Sequence, residues 1–339
     1  MLKYNKFIHC TDSHLANKQP EKRTDDFNHS ILQKWQWIAD YGMSQKVDGI
    51  ICSGDLCHTH KTSDELIYQF AEIMRNSGLQ FYYVYGNHDI QAGNVNYIEK
   101  TNMGLLSQHA WFHELDSEKL IEFEHCYLTG INYSHEKECA PCFDWQEGRL
   151  KDLNRGDKSK TIVLAVHAMI TNKGIMIGGK VKAVDVHDVI TNADILLNGH
   201  FHDGHKSVVE NIVLEHSFKV VNPGSIARMN LKEAKDGFGP RIAVLKIYKN
   251  RKSNIKLVDI PCKPLKDIFD LKKQAEQKAT CKARDKFIET MSKMSGQAMM
   301  GDNFEESIKQ VLENPPKKLK KKINKRVRQI LLEKLEEHR

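Results

Sequence analysis

The chain has 339 residues, 40% of them hydrophobic and 28% charged, which is enough for one large domain or two small ones without a disulfide or metal to hold the core together. Its apolar runs reach only about six residues, far short of a membrane span, and the first residues, Met1 to Lys6, lead into no signal-peptide h-region, so a cytoplasmic protein is expected. The net charge of +7 divides unevenly: residues 1–262 hold 31 Lys and Arg against 32 Asp and Glu, and residues 263–339 hold 20 against 12, a near-neutral body joined to a basic tail suited to an anionic or acidic partner.

Five short apolar runs at 6–10, 49–52, 81–85, 161–166 and 194–197 have strand length. Between the first three, residues 27–41 and 64–76 place Phe27, Ile31, Trp35 and Ile38, then Leu66, Ile67, Phe70, Ile73 and Met74, at helical spacing. Such alternation predicts an α/β layered core. From 208 to 261 strands and turns replace helices, which predicts a second, mostly antiparallel sheet. Beyond Lys263 the chain turns to Lys, Glu, Gln and Met, is broken by Pro315-Pro316, and reads as a helical appendage. Eight cysteines are scattered, some inside strand-like runs, as suits reduced thiols packed as small hydrophobes.

Metal-ligand residue types follow every one of the five runs. They are Asp12 and His14 in TDSH, Asp55 in SGD, Asn87 to Asp89 in GNHD, His167, and His200 and His202 in NGHFH. Ligands bind outside the carboxyl ends of strands in α/β sheets, so these side chains are expected to converge. Asp-x-His and His-x-His spacing puts two side chains on one side of an extended segment, and Gly54, Gly86 and Gly199 permit close backbone approach. Taken singly, each has a bland reading: a solvated turn, or at His167 a hydrogen-bonded core histidine. Together they favour a dinuclear centre of O and N donors without thiolate, with Mn, Fe or Zn as its metals.

In this order the motifs resemble the calcineurin-like metallophosphoesterases, marked by DxH, GDxx, GNH(D/E), a strand-ending His and GHxH, over about residues 5–260. The resemblance implies a two-sheet metallophosphoesterase sandwich flanked by helices, with 1–262 as the catalytic domain. It also implies two divalent ions, Mn first, with Fe, Zn or Mg as alternatives. Asp12, His14, Asp55 and His202 would hold one ion and Asp55, Asn87, His167 and His200 the other. Two adjacent ions activate water and clamp the oxygens of an in-line phosphoryl displacement. His88 would protonate the leaving oxygen, with Asp89 orienting its imidazole.

Within that superfamily the chain is most similar to SbcD-type DNA double-strand-break repair nucleases. Three residues after the bridging Asp, His58 matches a histidine that in those enzymes sits beside the metals and helps place DNA; a solvated loop residue is the other reading of His58 and His60. Asn222-Pro223-Gly224-Ser225 resembles their sheet-closing turn, residues 258–261 resemble the end of their catalytic domain, and Arg228 is a candidate phosphate contact. A capping domain usually follows there, whereas 77 residues remain here. We expect 263–302 to be a helical linker or reduced cap and 303–339 a basic helical hairpin. In the hairpin, Lys317, Lys318, Lys320, Lys321, Lys322, Lys325, Arg326 and Arg328 would meet DNA while an apolar stripe docks on an SbcC-type ATPase. A homodimer is a further expectation. The implied function is an Mn-dependent DNA exonuclease and endonuclease subunit in DNA repair, recombination or degradation; the alternative is a phosphatase or phosphodiesterase acting on a small nucleotide or phosphoprotein. Cys139 and Cys142 with His135 could ligate zinc, but a single CxxC reads more simply as a loop, and Phe143, Trp145 and Arg149 could stack on DNA or join the core.

Overall fold

The computed structural model describes residues 3–20, 23–91, 94–118, 120–143, 159–174, 176–177, 181–213, 216–229 and 239–270. Twelve of its strands build two sheets: β1 (Asn5–Cys10), β2 (Gly49–Cys52), β3 (Phe81–Tyr83), β4 (Phe112–Glu114), β5 (Ile121–Glu122), β6 (Cys126–Ile131), β7 (Thr161–Ala168), β8 (Ile195–His200), β9 (Val209–Val213), β10 (His216–Val221), β11 (Arg241–Ile247) and β12 (Ser253–Asp259). The first sheet runs β12-β11-β1-β2-β3-β4 and the second β9-β10-β8-β7-β6-β5. In each, four parallel strands are extended by antiparallel pairing: β11 and β12 beside β1, and β9 and β5 beside β10 and β6.

The separate antiparallel sheet expected from 208–261 does not form. Its strands are shared out, β9 and β10 to the second sheet and β11 and β12 to the first. The reason lies in burial. β11 reads Arg-Ile-Ala-Val-Leu-Lys-Ile, is buried along most of its length, and needs apolar neighbours on both faces, which β1 and the layers above and below it supply.

Strand alternation sorts the core into layers. Phe7, Ile51, Tyr82 and Val84 of the first sheet meet Leu128, Val163, Ala165, Ile195 and Leu197 of the second in the space between them. The opposite parity, Ile8, Cys10, Ile50 and Cys52, faces helices α1 (Phe27–Gln45) and α2 (Asp64–Ser77), whose Phe27, Ile31, Trp35, Ile38, Phe70 and Met74 are all buried there. Asp26 and Ser63 cap the two helices by accepting from the backbone of His29 and Leu66. On the second sheet, Leu164, Val166, Leu196 and Val220 pack instead against Val184, Val186, Val189 and Ala193, so among the described residues that outer face is covered by short strands and turns.

Residues 263–269 stay with the sandwich: Leu265–Ile268 forms a short helix, and buried Phe269 makes a β-bridge with Arg23. The expected hairpin at 303–339 with its eight basic residues, the part of the expected 263–302 linker beyond 270, Trp145 and Arg149 lie outside the described residues. No helix among those described is long and apolar enough to cross a membrane.

Candidate metal centre

All the signature residues gather at one edge of the sandwich, where the parallel strands of both sheets end. Parity explains His167: along β7, Val163 and Ala165 face the inter-sheet core, so His167 continues that face at the strand's open end. The Asp-x-His and His-x-His pairs reach the site differently from the extended segments expected. Asp12, His14, Asp55 and His200 all adopt left-handed backbone, with φ of 55°, 48°, 52° and 74°. Four non-glycine residues in that region, three on loops and His200 at the end of β8, represent stored strain, of the kind found where side-chain direction matters more than backbone comfort. Glycine removes the remaining obstruction, since a Cβ on Gly86 would stand 2.1 Å from Asp55 Oδ1 and one on Gly199 2.1 Å from the Ser53 carbonyl.

Two overlapping groups result. His14 Nε2 lies 3.0 Å from His202 Nε2, 3.9 Å from Asp12 Oδ1 and 3.7 Å from Asp55 Oδ2, and His202 Nε2 is 3.5 Å from Asp12 Oδ1. On the other side of Asp55, its Oδ2 is 3.4 Å from His167 Nε2, which is 3.2 Å from Asn87 Oδ1; His200 completes this group. Ligands about 2.1 Å from one ion stand roughly 3.0–3.4 Å apart, so these separations are close to the edges of coordination polyhedra. The unmet valences point the same way. Asp12 Oδ2 accepts from Thr11 Oγ1 and the His200 backbone, and Asp55 Oδ1 accepts from the His88 backbone, yet among the described residues buried Asp12 Oδ1 and Asp55 Oδ2 find no hydrogen-bond donor. An orphaned buried carboxylate oxygen is costly unless a cation meets it. Two divalent ions therefore fit, sharing Asp55.

Protonation follows the same logic. Burial works against charge on Asp55 and Asp12, but His167, His14 and His88 hold Asp55 ionised below the usual carboxylate range, and His202 and His167 bring Asp12 down to about 2. Burial lowers His14 to about 3, keeping a lone pair for coordination. His167 Nδ1 donates to the Ser53 carbonyl at 2.7 Å, which leaves Nε2 as its ligand atom.

A family model for the calcineurin-like phosphoesterases matches residues 5–204, more than half of the chain. The chain belongs to the calcineurin-like phosphoesterases. No curated protein sequence matches it. Solved structures similar to it include a dimetal phosphatase from Danio rerio, 8% identical over 76% of this chain and 99% of that one with a TM-score of 0.43. Purple acid phosphatase PPD1 from yellow lupin seeds is 12% identical over 78% of this chain and 53% of that one, with a TM-score of 0.47.

Beside the phosphoesterase centre, His88 Nδ1 donates to the His58 carbonyl at 2.7 Å, and the two imidazoles stack with centroids 5.0 Å apart. His58 Nδ1 is also 3.4 Å from His14 Nδ1. Nitrogens of His14, His58 and His88 also lie within 4.8 Å of one another, so this histidine cluster adjoins the first metal group through His14.

Asp89 does not orient His88. His88 bonds through Nδ1 to the His58 carbonyl instead, and Asp89 is wholly buried, accepting from Cys57 N and Gly86 N at 2.9 Å each and thereby stapling two ligand loops together. Arg228 is not a phosphate contact either: it is only 4% exposed, and its Nη2 donates to the Lys263 carbonyl. The turn at 222–225 serves structure, with Ser225 Oγ donating to the Asp12 carbonyl and Ser225 N to that of His202. Phe143 is buried in the core and cannot stack on a ligand, and Cys139, Cys142 and His135 form no metal-ligating group among the described residues. One residue absent from the sequence reading touches the centre: Glu138, whose Oε1 is 3.2 Å from His200 Nε2. It lies 62 residues before its partner and on no motif, so only the fold joins them.

Proposed function

We propose that this phosphoesterase is an Mn-dependent DNA nuclease, with exonuclease and endonuclease action, that works with an SbcC-type ATPase in DNA repair, recombination or degradation. The observation that carries this reading is the arrangement of His58. Its carbonyl sets the His88 tautomer, and its ring stacks on His88 beside the first metal group; its spacing, three residues after Asp55, resembles that of the DNA-placing histidine of SbcD-type nucleases. Mn suits the mixed carboxylate, amide and imidazole donors. The basic tail at 303–339 supplies the charge for DNA and a surface for the ATPase.

Asp12, His14, Asp55 and His202 would hold one ion, and Asp55, Asn87, His167 and His200 the other. Ions held there supply Lewis acidity at the phosphoryl oxygens and lower the pKa of an attacking water. The chain's own part is positional. The strained loops aim the carboxylates, Asp89 keeps the loops in register, and the His58 carbonyl accepts His88 Nδ1–H, so that Nε2 of the doubly protonated imidazolium is the nitrogen that gives the leaving oxygen its proton, leaving the neutral Nδ1–H tautomer behind.

The test is purified protein with Mn on end-labelled linear DNA, with and without the ATPase, compared with a phosphodiester dye and with the His58→Ala variant. Mn-dependent shortening of DNA whose end or strand preference changes in His58→Ala supports the reading. Hydrolysis of the dye or of small phosphomonoesters alone, with DNA untouched, would assign the site to small nucleotides or phosphoproteins instead.

A further inference from the structure

Seven ligands were legible as motifs, but one of them is held by a residue that no motif contains. His200 Nε2 faces Glu138 Oε1 at 3.2 Å, while Glu138 Oε2 accepts from Tyr133 Oη at 2.9 Å. The Tyr133 hydroxyl also lies 3.1 Å from His135 Nδ1, so it can accept there while donating to Glu138. The segment is tied to the ligand loops at both ends: Tyr133 N donates to the Tyr85 carbonyl, next to the Gly86-Asn87 turn, and Met169 N donates to the Glu138 carbonyl just past His167. Glu138 thus stands behind His200, its side chain 34% exposed at the mouth of the centre, and outside the group formed by Asp55, His167 and His200.

A ligating histidine usually donates its second ring N–H to a carboxylate or carbonyl, which fixes its tautomer and raises its basicity. His167 has that partner in Ser53. We infer that Glu138 is the corresponding positioning residue for His200, accepting Nε2–H so that Nδ1 faces the second ion, and that the 133–138 segment thereby sets the affinity of that ion site alone. The inference rests on the dinuclear reading of the cluster. It assigns the two ions unequal dependence on Glu138: among the ligands, His200 of the second group faces that half-exposed carboxylate, at 3.2 Å.

Calorimetric addition of Mn2+ to metal-free protein, with the exchange-coupled Mn–Mn EPR signal as a second readout, tests this. Glu138→Ala should bind the first ion as the wild type does, bind the second about 10–100-fold more weakly, and lose the coupled signal at limiting Mn2+. Glu138→Gln, whose amide oxygen still accepts Nε2–H, should recover most of both. Should Glu138→Ala fail to fold, Tyr133→Phe decides, because it removes only the hydroxyl that holds Oε2 and should weaken the second ion selectively. Unchanged second-ion binding in the folded variant that decides, or equal weakening of both ions without rescue by Gln, would overturn the inference. Uptake of fewer than two ions by the wild type would instead overturn the dinuclear reading beneath it.

Discussion

Asp55 is the carboxylate on which both metal groups depend, since its Oδ2 faces His14 on one side and His167 on the other. Asp55→Ala should therefore leave fewer than two bound ions per chain and abolish hydrolysis, a loss exceeding the roughly 10²–10⁴-fold expected for a missing general acid. Elemental analysis alongside activity checks it; full activity would refute the shared-ligand assignment. In the proposed mechanism His88 contributes by proton transfer, so His88→Ala should retain both ions yet fall by about 10²–10⁴-fold on DNA and much less on a nitrophenyl ester, whose leaving group needs little protonation. Equal losses on the two substrates would argue against that role. A different histidine contributes to acid sensitivity. Burial lowers the His9 pKa to about 3, with Asp12 opposing, while its Nε2 bonds to Ser53 Oγ. His9 is thus neutral when folded but protonates in the unfolded chain below about 6.5, so the unfolded chain binds more protons between those values and stability rises with pH across that window. The urea midpoint of metal-free protein should drop from pH 7 to pH 5, and His9→Gln should lessen the drop; parallel profiles would assign acid sensitivity to other groups.

Loops between strand ends and the next elements bear the strain of the centre, and glycine is what lets them approach. Gly54 sits at φ +91°, and a Cβ there would stand 2.4 Å from His167 Nδ1 and 2.8 Å from Gly86 N. Gly54→Ala should therefore cost about 1–3 kcal/mol in backbone strain and push His167 off the Ser53 carbonyl, visible as a lower thermal midpoint together with weaker uptake of the second ion. A midpoint equal to that of the wild type would mean that the turn relaxes freely. The helices were legible because each buries one stripe against one sheet face, which makes Phe27, Ile31, Trp35 and Ile38 recur with the helical period. Strands 209–221 and 241–259 were legible as strands but not as members of two different sheets, because periodicity reports which face is buried and carries no information on which neighbour buries it.

The proposed function divides the work between the sandwich, for catalysis, and the basic tail, for partner and DNA binding. Deleting residues 303–339 should leave hydrolysis of a phosphodiester dye intact, end co-purification with the ATPase and flatten the salt dependence of DNA binding. A stable complex surviving that truncation would place the docking surface elsewhere. Asp12, His14, Asp55, Asn87, His167, His200 and His202 could be picked out from sequence because each follows a strand-length apolar run, and parallel strands must end on the same side of their sheet. The identities of the donors likewise announce the chemistry, since carboxylate, amide and imidazole ligands select hard or borderline cations. Where side chains point once they leave the strands is a different matter. That Asp89 staples loops, that Arg228 is buried, and that Glu138 reaches His200 across 62 residues all depend on left-handed turns and on which loops the two sheets bring side by side. Those are contacts between distant segments, chosen by packing, and local sequence pattern does not encode them.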